Sequence, residues 1–247
     1  MNHNVVVCLL PFTVLAIWHL GTLAISPLLL PSPLSVIMDG IRLLGTGEVV
    51  PDIAFTLYRT IAGFGLAAVI GVPLGVLMGY SETVYSALGF LVDFFRSVPA
   101  TALFPIFLLI FGIGDGTKIG LAAWAAGLIT VTYSMYGVHL GKKMRVQAAK
   151  TMNVKGFTLL KNVVFPEALP HIFAGMRIAA SLCLVLVVVT EMFIGTAFGM
   201  GRRIIDAQLL YRLPEMYAAI IITGCLGYAI NKCVAFVERK VVYWKGT

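Results

Sequence analysis

Long apolar stretches separated by shorter polar segments dominate this chain. Several of them reach the roughly 20 residues that a helix needs to cross the hydrocarbon core of a bilayer. They lie near residues 5–25, 57–79, 85–112, 118–139, 172–195 and 216–237. The pattern therefore predicts an all-α, polytopic membrane protein with about six transmembrane helices. We expect residues 1–56 to form a first transmembrane helix and an outer amphipathic segment, and residues 57–247 to form a core of five helices.

The third stretch is the least regular, because Asp93, Arg96, Pro99 and Pro105 interrupt it. Proline removes a backbone donor and bends or breaks a helix. The stretch is predicted to be either one kinked helix or a short helix followed by a bent one. Asp93 and Arg96 lie three positions apart, on one face of a helix, so we expect a structural ion pair.

The second stretch carries a stripe of small residues at every fourth position. These residues are Gly63, Ala67, Gly71, Gly75 and Gly79. Such a stripe lets another helix approach closely. We expect a neighbouring helix of the same chain to pack there, with a subunit interface as the alternative.

Composition and charge agree with a membrane protein. The 247 residues are 60% hydrophobic and 12% charged, with a mean hydropathy of +0.96 and a net charge of +7. Basic residues concentrate in segment 140–171 and in the C-terminal tail, so the positive-inside rule predicts that both termini are cytoplasmic. This distribution argues against a nucleic-acid partner. The four cysteines lie in apolar stretches without metal-site spacing, and no metal or catalytic site is predicted.

The outer segments are neutral on balance. Their basic residues are Arg42, Arg59, Lys118, Arg202, Arg203 and Arg212, and their acidic residues are Asp39, Glu48, Asp52, Asp115, Asp206 and Glu215. Arg202 and Arg203 follow a glycine-rich turn at the predicted entrance. A solvated basic turn is the favoured interpretation, and attraction of an anion is the alternative.

Charged residues inside membrane helices are costly and are candidates for a translocation path or gate. Arg177 lies near the cytoplasmic end of the fifth stretch, where its side chain can reach the headgroups, so a transport role is the less favoured interpretation. Glu191 lies near the outer end, where it could be a gate, a helix anchor or a contact for a binding protein. Arg96 and Pro99 complete this set of candidates.

Segment 140–171 is much longer than most connections between bundle helices. A helix is predicted through Gln147, with Asn153 in a left-handed cap. A second short helix is predicted to begin near Gly156 and to end at Pro166. It would place Phe157, Leu160, Val163 and Val164 on one face. Such a segment can dock a partner protein, or it can lie on lipid headgroups.

The same segment resembles a known family. Gln147, Ala148 and Ala149, followed by Asn153 and by Phe165-Pro166, are similar to the EAA signature of permease subunits from binding-protein-dependent ABC importers. Stretches 94–114, 165–181 and 188–195 resemble the nitrate, sulfonate, taurine and bicarbonate branch of that family. Two positions depart from the signature, since Gln147 stands for Glu and Asn153 for Gly. The first departure removes a charge from the docking surface.

The resemblance implies a type I importer permease in the bacterial inner membrane that moves a small anionic solute into the cytoplasm by alternating access. It implies two cytoplasmic ATPase subunits, a second permease subunit in a homodimer, a periplasmic or lipid-anchored solute-binding protein, and contact with membrane lipid. Because the chain has no GxxxxGK[ST] phosphate loop, ATP and Mg²⁺ are expected on the partner ATPase, and this chain is not expected to be an enzyme. The residues that the resemblance assigns to ATPase coupling are Gln147, Ala148, Ala149, Met152, Asn153, Lys155, Gly156 and Phe157.

An ion-coupled carrier or a channel without an ATPase partner is the alternative function. Carriers of that kind commonly show inverted repeats and helices broken at mid-membrane. No convincing repeat is visible in this sequence, and the long loop favours the importer.

Overall fold

The structure is a computed structural model that describes residues 3–26, 29–141 and 143–246. Within those ranges the chain is helical and contains no β-strand, which confirms the all-α prediction. The helices are α1 (His3–Ile25), α2 (Pro33–Thr46), α3 (Val50–Tyr80), α4 (Glu82–Ser97), α5 (Phe104–Phe111), α6 (Asp115–Leu140), α7 (Lys143–Thr151), α8 (Gly156–Leu159), α9 (Phe165–Phe193), α10 (Met200–Leu209) and α11 (Leu213–Val241). A π-helical turn, Leu160–Val164, joins α8 to α9.

Five of the six predicted spans have counterparts in the described ranges. Four helices are long and apolar enough to cross a membrane, namely α3, α6, the continuous helix Gly156–Phe193 and α11. The pair formed by α4 and the helical segment Ala100–Phe111 gives a fifth. The first predicted span corresponds to α1, a helix of 23 residues whose described side chains begin at Pro11, so that span stays a prediction.

The third predicted span is broken rather than gently kinked. Its two helical parts meet at an angle of 94°. Helix α4 ends where Val98 adopts an extended conformation, and Pro99, which has no N–H donor, follows it. The structure therefore agrees with the alternative of a short helix followed by a bent one. The expected ion pair between Asp93 and Arg96 is confirmed at 3.6 Å.

The chain divides into two compact units. One comprises residues 1–55 and 191–225, and the other comprises 56–190 and 226–247. In the first unit, Ser32 is the N-cap of α2, and its hydroxyl accepts a hydrogen bond from the Ser35 N–H at 3.3 Å. The helix ends at Gly47, which has a left-handed φ of 77°. The predicted boundary near residue 56 between an N-terminal segment and a core stays a prediction.

Close packing of α3 against α6 organises the second unit. A Cβ added at Gly75 would lie 2.7 Å from the Ser134 Cβ, and one added at Gly79 would lie 2.7 Å from the Met135 carbonyl oxygen. Such distances are shorter than van der Waals contact, so only glycine allows this approach. The small-residue stripe therefore packs within the chain, as predicted.

The prediction that Pro166 ends a short helix is wrong. The helix runs without interruption from Gly156 to Phe193. Within the π-helical turn the Phe165 N–H donates to the Leu160 carbonyl, five residues back. Bonds of this length shift the acceptors by one position, so a proline just after the turn fits without the usual break.

The same turn changes which residues face the interior. Leu159 and Val164, five positions apart, are buried at 3% and 6% exposure. Phe157 is 75% exposed, although the 3.6-residue period placed it on the same face as Val164, which is buried. A π-helical turn places residues five apart on one side, which explains the difference.

Candidate functional site

The segment between α6 and α9 forms a tight, ordered bend. Helix α7 ends in a Schellman-type cap, in which the Val154 N–H donates to the Ala149 carbonyl at 3.0 Å. Asn153 occupies the left-handed position of this cap with a φ of 60°, as the sequence predicts. Gly156 has a second left-handed φ, also 60°, and starts α8. Two left-handed residues within four positions thus turn the chain from one helix into the next.

The residues predicted to couple to an ATPase lie together on this bend. Gln147, Ala148, Asn153, Lys155 and Gly156 are exposed, and Ala149 is half-buried. Two large apolar side chains flank the turn, since Met152 is 78% exposed and Phe157 is 75% exposed. Exposed apolar side chains on an ordered polar loop are typical of a surface that a partner covers. Their role in coupling stays a prediction.

Specific contacts join the bend to the long helices. Arg145 of α7 pairs with Glu167 of α9 at 2.6 Å. The Tyr80 hydroxyl, at the last residue of α3, donates to the Gly156 carbonyl at 3.4 Å. In addition, α8 continues through the π-helical turn into α9. Movement of the bend would therefore be transmitted directly to two of the apolar helices.

The candidates for a translocation path or gate do not form one cluster in the second unit. Arg96 is exposed and pairs with Asp93, and Pro99 is exposed at the sharp bend. Arg177 forms an ion pair with Glu238 of α11. The predicted extension of its side chain toward the lipid headgroups stays a prediction. A role in transport stays a prediction for all three residues.

Glu191 is held inside the first unit, where it is 1% exposed. Its carboxylate accepts a hydrogen bond from the Gly201 N–H at 3.0 Å. A Cβ at Gly199 would lie 2.6 Å from the Glu191 Cδ, so the glycine-rich turn wraps closely around this carboxylate. Among the three roles considered for Glu191, this geometry favours the helix anchor.

The interpretation as a solvated basic turn is wrong for Arg203, whereas the Arg202 side chain is 42% exposed. The Arg203 side chain is only 18% exposed and pairs with Asp52 at 2.5 Å and with Glu215 at 3.0 Å. Arg202 pairs with Asp206 at 3.0 Å and also donates to the Thr196 carbonyl. Asp52 lies 151 positions from Arg203, so a local pattern could not reveal that pair, whereas Arg202 and Asp206 have the i, i+4 spacing of a helical pair.

Every basic residue assigned to the outer segments forms an ion pair. Arg42 pairs with Asp39, Arg59 and Lys118 pair with Asp115, and Arg212 pairs with Glu215. Four of the outer ion pairs have the i, i+3 or i, i+4 spacing that a helical pattern can reveal, whereas the Arg59–Asp115 and Arg203–Asp52 pairs join distant parts of the sequence. These ion pairs fix local structure. Arg202 and Arg203 are therefore not unpaired positive charges that would attract an anion.

The comparisons with known proteins agree with this arrangement. Residues 71–242, more than half of the chain, match the family described as binding-protein-dependent transport system inner membrane component. The chain belongs to this family. Members of the family are transport subunits, so the permease described here is not an enzyme.

Individual relatives place the permease in the branch predicted from its sequence. It is 29% identical to the putative aliphatic sulfonates transport permease protein SsuC of Bacillus subtilis, over 97% of this chain and 87% of the relative. It is 27% identical to the taurine transport system permease protein TauC of Escherichia coli, over 93% of this chain and 85% of the relative. These relatives confirm the resemblance to the sulfonate and taurine branch.

The fold of the permease is also found in a solved transporter. An inward-facing crystal structure of the MetNI methionine ABC transporter matches with a TM-score of 0.69 and 21% identity, over 78% of this chain and 95% of the other. At this identity the match concerns the fold alone, and it confirms the type I importer architecture. A multi-pass location in the membrane follows from the family and from the apolar helices.

Proposed function

We propose that this permease is the membrane subunit of an ATP-driven importer that carries a small anion into the cytoplasm by alternating access. Two such subunits form a homodimer around the translocation path. Two ATPase subunits, which bind ATP and Mg²⁺, dock on the segment between α6 and α9. A solute-binding protein delivers the solute from the opposite side of the inner membrane, and both termini of the permease are cytoplasmic.

The geometry of the bend carries this proposal. Met152 and Phe157 project from an ordered turn with two left-handed residues, and Lys155 lies exposed between them. Large exposed apolar side chains can enter pockets on a partner and supply most of the binding energy. The loss of the signature glutamate at Gln147 leaves these apolar contacts as the main attachment.

The connection of the bend to the spans supports alternating access. ATP-driven closure of the partner subunits can bias the permease only through contacts that differ between its two states. The bend is joined to α9 by a continuous helix and by the Arg145–Glu167 ion pair, and to α3 by the Tyr80 hydrogen bond. Drawing two bends together would therefore tilt the spans themselves.

The relatives support a small anion as the solute. SsuC is named for aliphatic sulfonates and TauC for taurine, and both solutes carry a sulfonate group. Like the sulfonate group, nitrate and bicarbonate carry a single negative charge shared between oxygen atoms, so they belong to the same predicted class. We expect the solute-binding protein to contribute most of the selectivity among these anions.

The test combines co-purification with transport. Tagged permease is purified from its own host, and ATP hydrolysis and solute uptake are measured in proteoliposomes. Phe157→Ser and Met152→Ser should each weaken binding of the ATPase subunit by about 2 kcal/mol, or roughly thirtyfold, because each removes an apolar anchor. Leu209→Ser is the matched control, since Leu209 is 70% exposed on α10 in the other unit. It should leave ATPase binding unchanged.

A different result would overturn the proposal. If the purified permease transports solute under an ion gradient without an ATPase subunit, the protein is a secondary carrier. If both serine variants retain the ATPase at the level of Leu209→Ser, the bend is not the docking surface.

A further inference from the structure

A cavity of about 580 Å³ lies between α9 and α11, within the unit that comprises residues 56–190 and 226–247. Arg177, Lys232 and Arg239 line it, together with polar Ser181 and Asn231 and the aromatic rings of Tyr228 and Phe236. No carboxylate is among the described residues that line it. The cavity is therefore a cationic groove with an aromatic wall, and we refer to it as the α9/α11 groove.

The polar groups of the groove are held in place by contacts within the unit. The Asn231 amide donates to the Ser181 hydroxyl at 3.1 Å, which ties α11 to α9. The Lys232 ammonium lies 5.1 Å from the centre of the Tyr228 ring. Glu238, which is 7% exposed and lies behind the groove, pairs with Arg177. Lys232 and Arg239 thus contribute the positive charge that the lining does not neutralise.

The positions of the basic residues along α9 and α11 put their side chains within reach of lipid headgroups. Arg177 comes five residues after the start of the apolar stretch 172–195, and Lys232 comes five residues before the end of 216–237. At 1.5 Å per residue both lie about 7.5 Å inside the apolar boundary, within reach of long side chains that extend toward the headgroups. Arg239 lies just beyond the boundary. The aromatic rings of Tyr228 and Phe236 extend the groove along the apolar part of α11.

From this combination we propose that the α9/α11 groove is a binding site for an anionic phospholipid, with its phosphate held by Lys232 and Arg239 and an acyl chain along the aromatic wall. Basic pockets between membrane helices at headgroup depth suit phosphate-bearing lipids. A second copy of the chain is disfavoured, because a twofold contact through the groove would oppose identical positive charges. A free anion of the transported class is the alternative occupant, and the experiment below distinguishes it from the lipid.

Native mass spectrometry of the full chain, purified with the subunits that accompany it, tests this inference. The protein is exchanged into detergent that contains phosphatidylglycerol or phosphatidylcholine with the same acyl chains. We expect phosphatidylglycerol to be retained preferentially. Lys232→Gln and Arg239→Gln should each lower its retention about fivefold, the factor expected for one basic residue near an anionic headgroup.

Lys240→Gln is the matched control. Lys240 lies on the same helix, 4.7 Å from the centre of the Phe236 ring, and does not line the groove. Lys240→Gln removes one positive charge, as Lys232→Gln and Arg239→Gln do. If the groove is a specific site, this control should leave lipid retention unchanged. Size-exclusion profiles of the variants show that the fold is intact. Excess methanesulfonate in a parallel sample tests whether a free anion occupies the groove instead of the lipid.

Three results would overturn the inference. Equal retention of the two lipids would show that the headgroup charge is not recognised. An equal loss for Lys240→Gln would indicate a diffuse surface attraction, and displacement by methanesulfonate would assign the groove to a free anion. Lipid retention is measured without ATP, so its outcome is independent of the outcome of the transport experiment.

Discussion

The left-handed conformations of two residues define the bend between α7 and α8. Asn153 and Gly156 both have a φ of 60°, in a region that side chains with branched β-carbons essentially cannot adopt. The sequence revealed the first of these, because asparagine after a run of helix-forming residues is a recognised left-handed cap. The side of the bend on which Phe157 lies was not predictable, because it depends on the π-helical turn that follows.

Gly156 offers a clean test of this conformation. No atom lies within 4 Å of a Cβ added there, so a side chain would meet no steric obstacle. Gly156→Val should still disfavour the bend by at least about 1 kcal/mol, because valine resists a left-handed φ. We expect solute uptake per permease in proteoliposomes to fall, while the folded protein is recovered in normal yield.

Gly156→Asn is the matched control, because asparagine tolerates the left-handed region. It should retain most of the uptake. If valine and asparagine behave alike, the left-handed conformation does not determine docking.

Charged residues illustrate what a single sequence conceals. Asp93 and Arg96 are three positions apart, and their ion pair was predicted. Arg203 pairs with Asp52, which lies 151 positions away in the sequence. Local periodicity identifies the first kind of pair and carries no information about the second. The contact between Glu191 and Gly201 was also not predictable from local periodicity. The two residues are only ten positions apart, but the turn between them has no regular period.

At the scale of whole elements, hydrophobic length and small-residue spacing were the reliable signals. They predicted the positions of α3, α6, α9 and α11 and the close packing of α3 against another helix of the same chain. The exception was the helix that passes through Pro166. A rule for ordinary α-helices ends the element there, and a π-helical turn removes the conflict.

The close packing of α3 against α6 can be tested by adding a methyl group to the contact. Gly75→Ala would place a methyl group 2.7 Å from the Ser134 Cβ, and the helix backbones would have to separate. We expect the free energy of unfolding to fall by about 1–3 kcal/mol, the usual cost of overpacking. Thermal unfolding of the purified protein in detergent measures this change as a lower Tm.

Gly65→Ala on the same helix is the control. No atom lies within 4 Å of the added Cβ, and alanine favours a helix over glycine by about 1 kcal/mol. Its Tm should be equal to or higher than that of the unmodified protein. A lower Tm for both variants would mean that the stripe is not specifically packed.

For the whole molecule, the question is how events at the bend reach the membrane. The Arg145–Glu167 ion pair connects α7 to α9 and has a partly buried carboxylate, since the Glu167 side chain is 15% exposed. Arg145→Glu should repel Glu167 and loosen this connection. We expect solute uptake per ATP hydrolysed to fall several-fold, with the ATPase subunit still bound through Met152 and Phe157.

The reversed pair distinguishes this effect from general damage. Arg145→Glu combined with Glu167→Arg restores opposite charges at the same positions and should recover much of the lost uptake. A double variant as impaired as the single one would show that the ion pair does not transmit motion.

Fold class and family could thus be predicted from the sequence, since both depend on long apolar stretches and on a local signature. The subunit arrangement and the solute could not, because they depend on surfaces contributed by other chains. Even the groove between α9 and α11 was hidden, because Arg177 lies more than 50 positions from Lys232 and Arg239 and meets them only through the packing of two helices.

The unbroken helix from Gly156 to Phe193 has a mechanical consequence. Its 38 residues span about 55 Å at 1.5 Å per residue, and the bend between α7 and α8 lies at its base. A tilt of about 5° applied at that base would displace the far end by about 5 Å, close to the rise of one helical turn. In the proposed alternating access, a small rotation of the bend would therefore be sufficient to open or close an aperture at the far end of the helix.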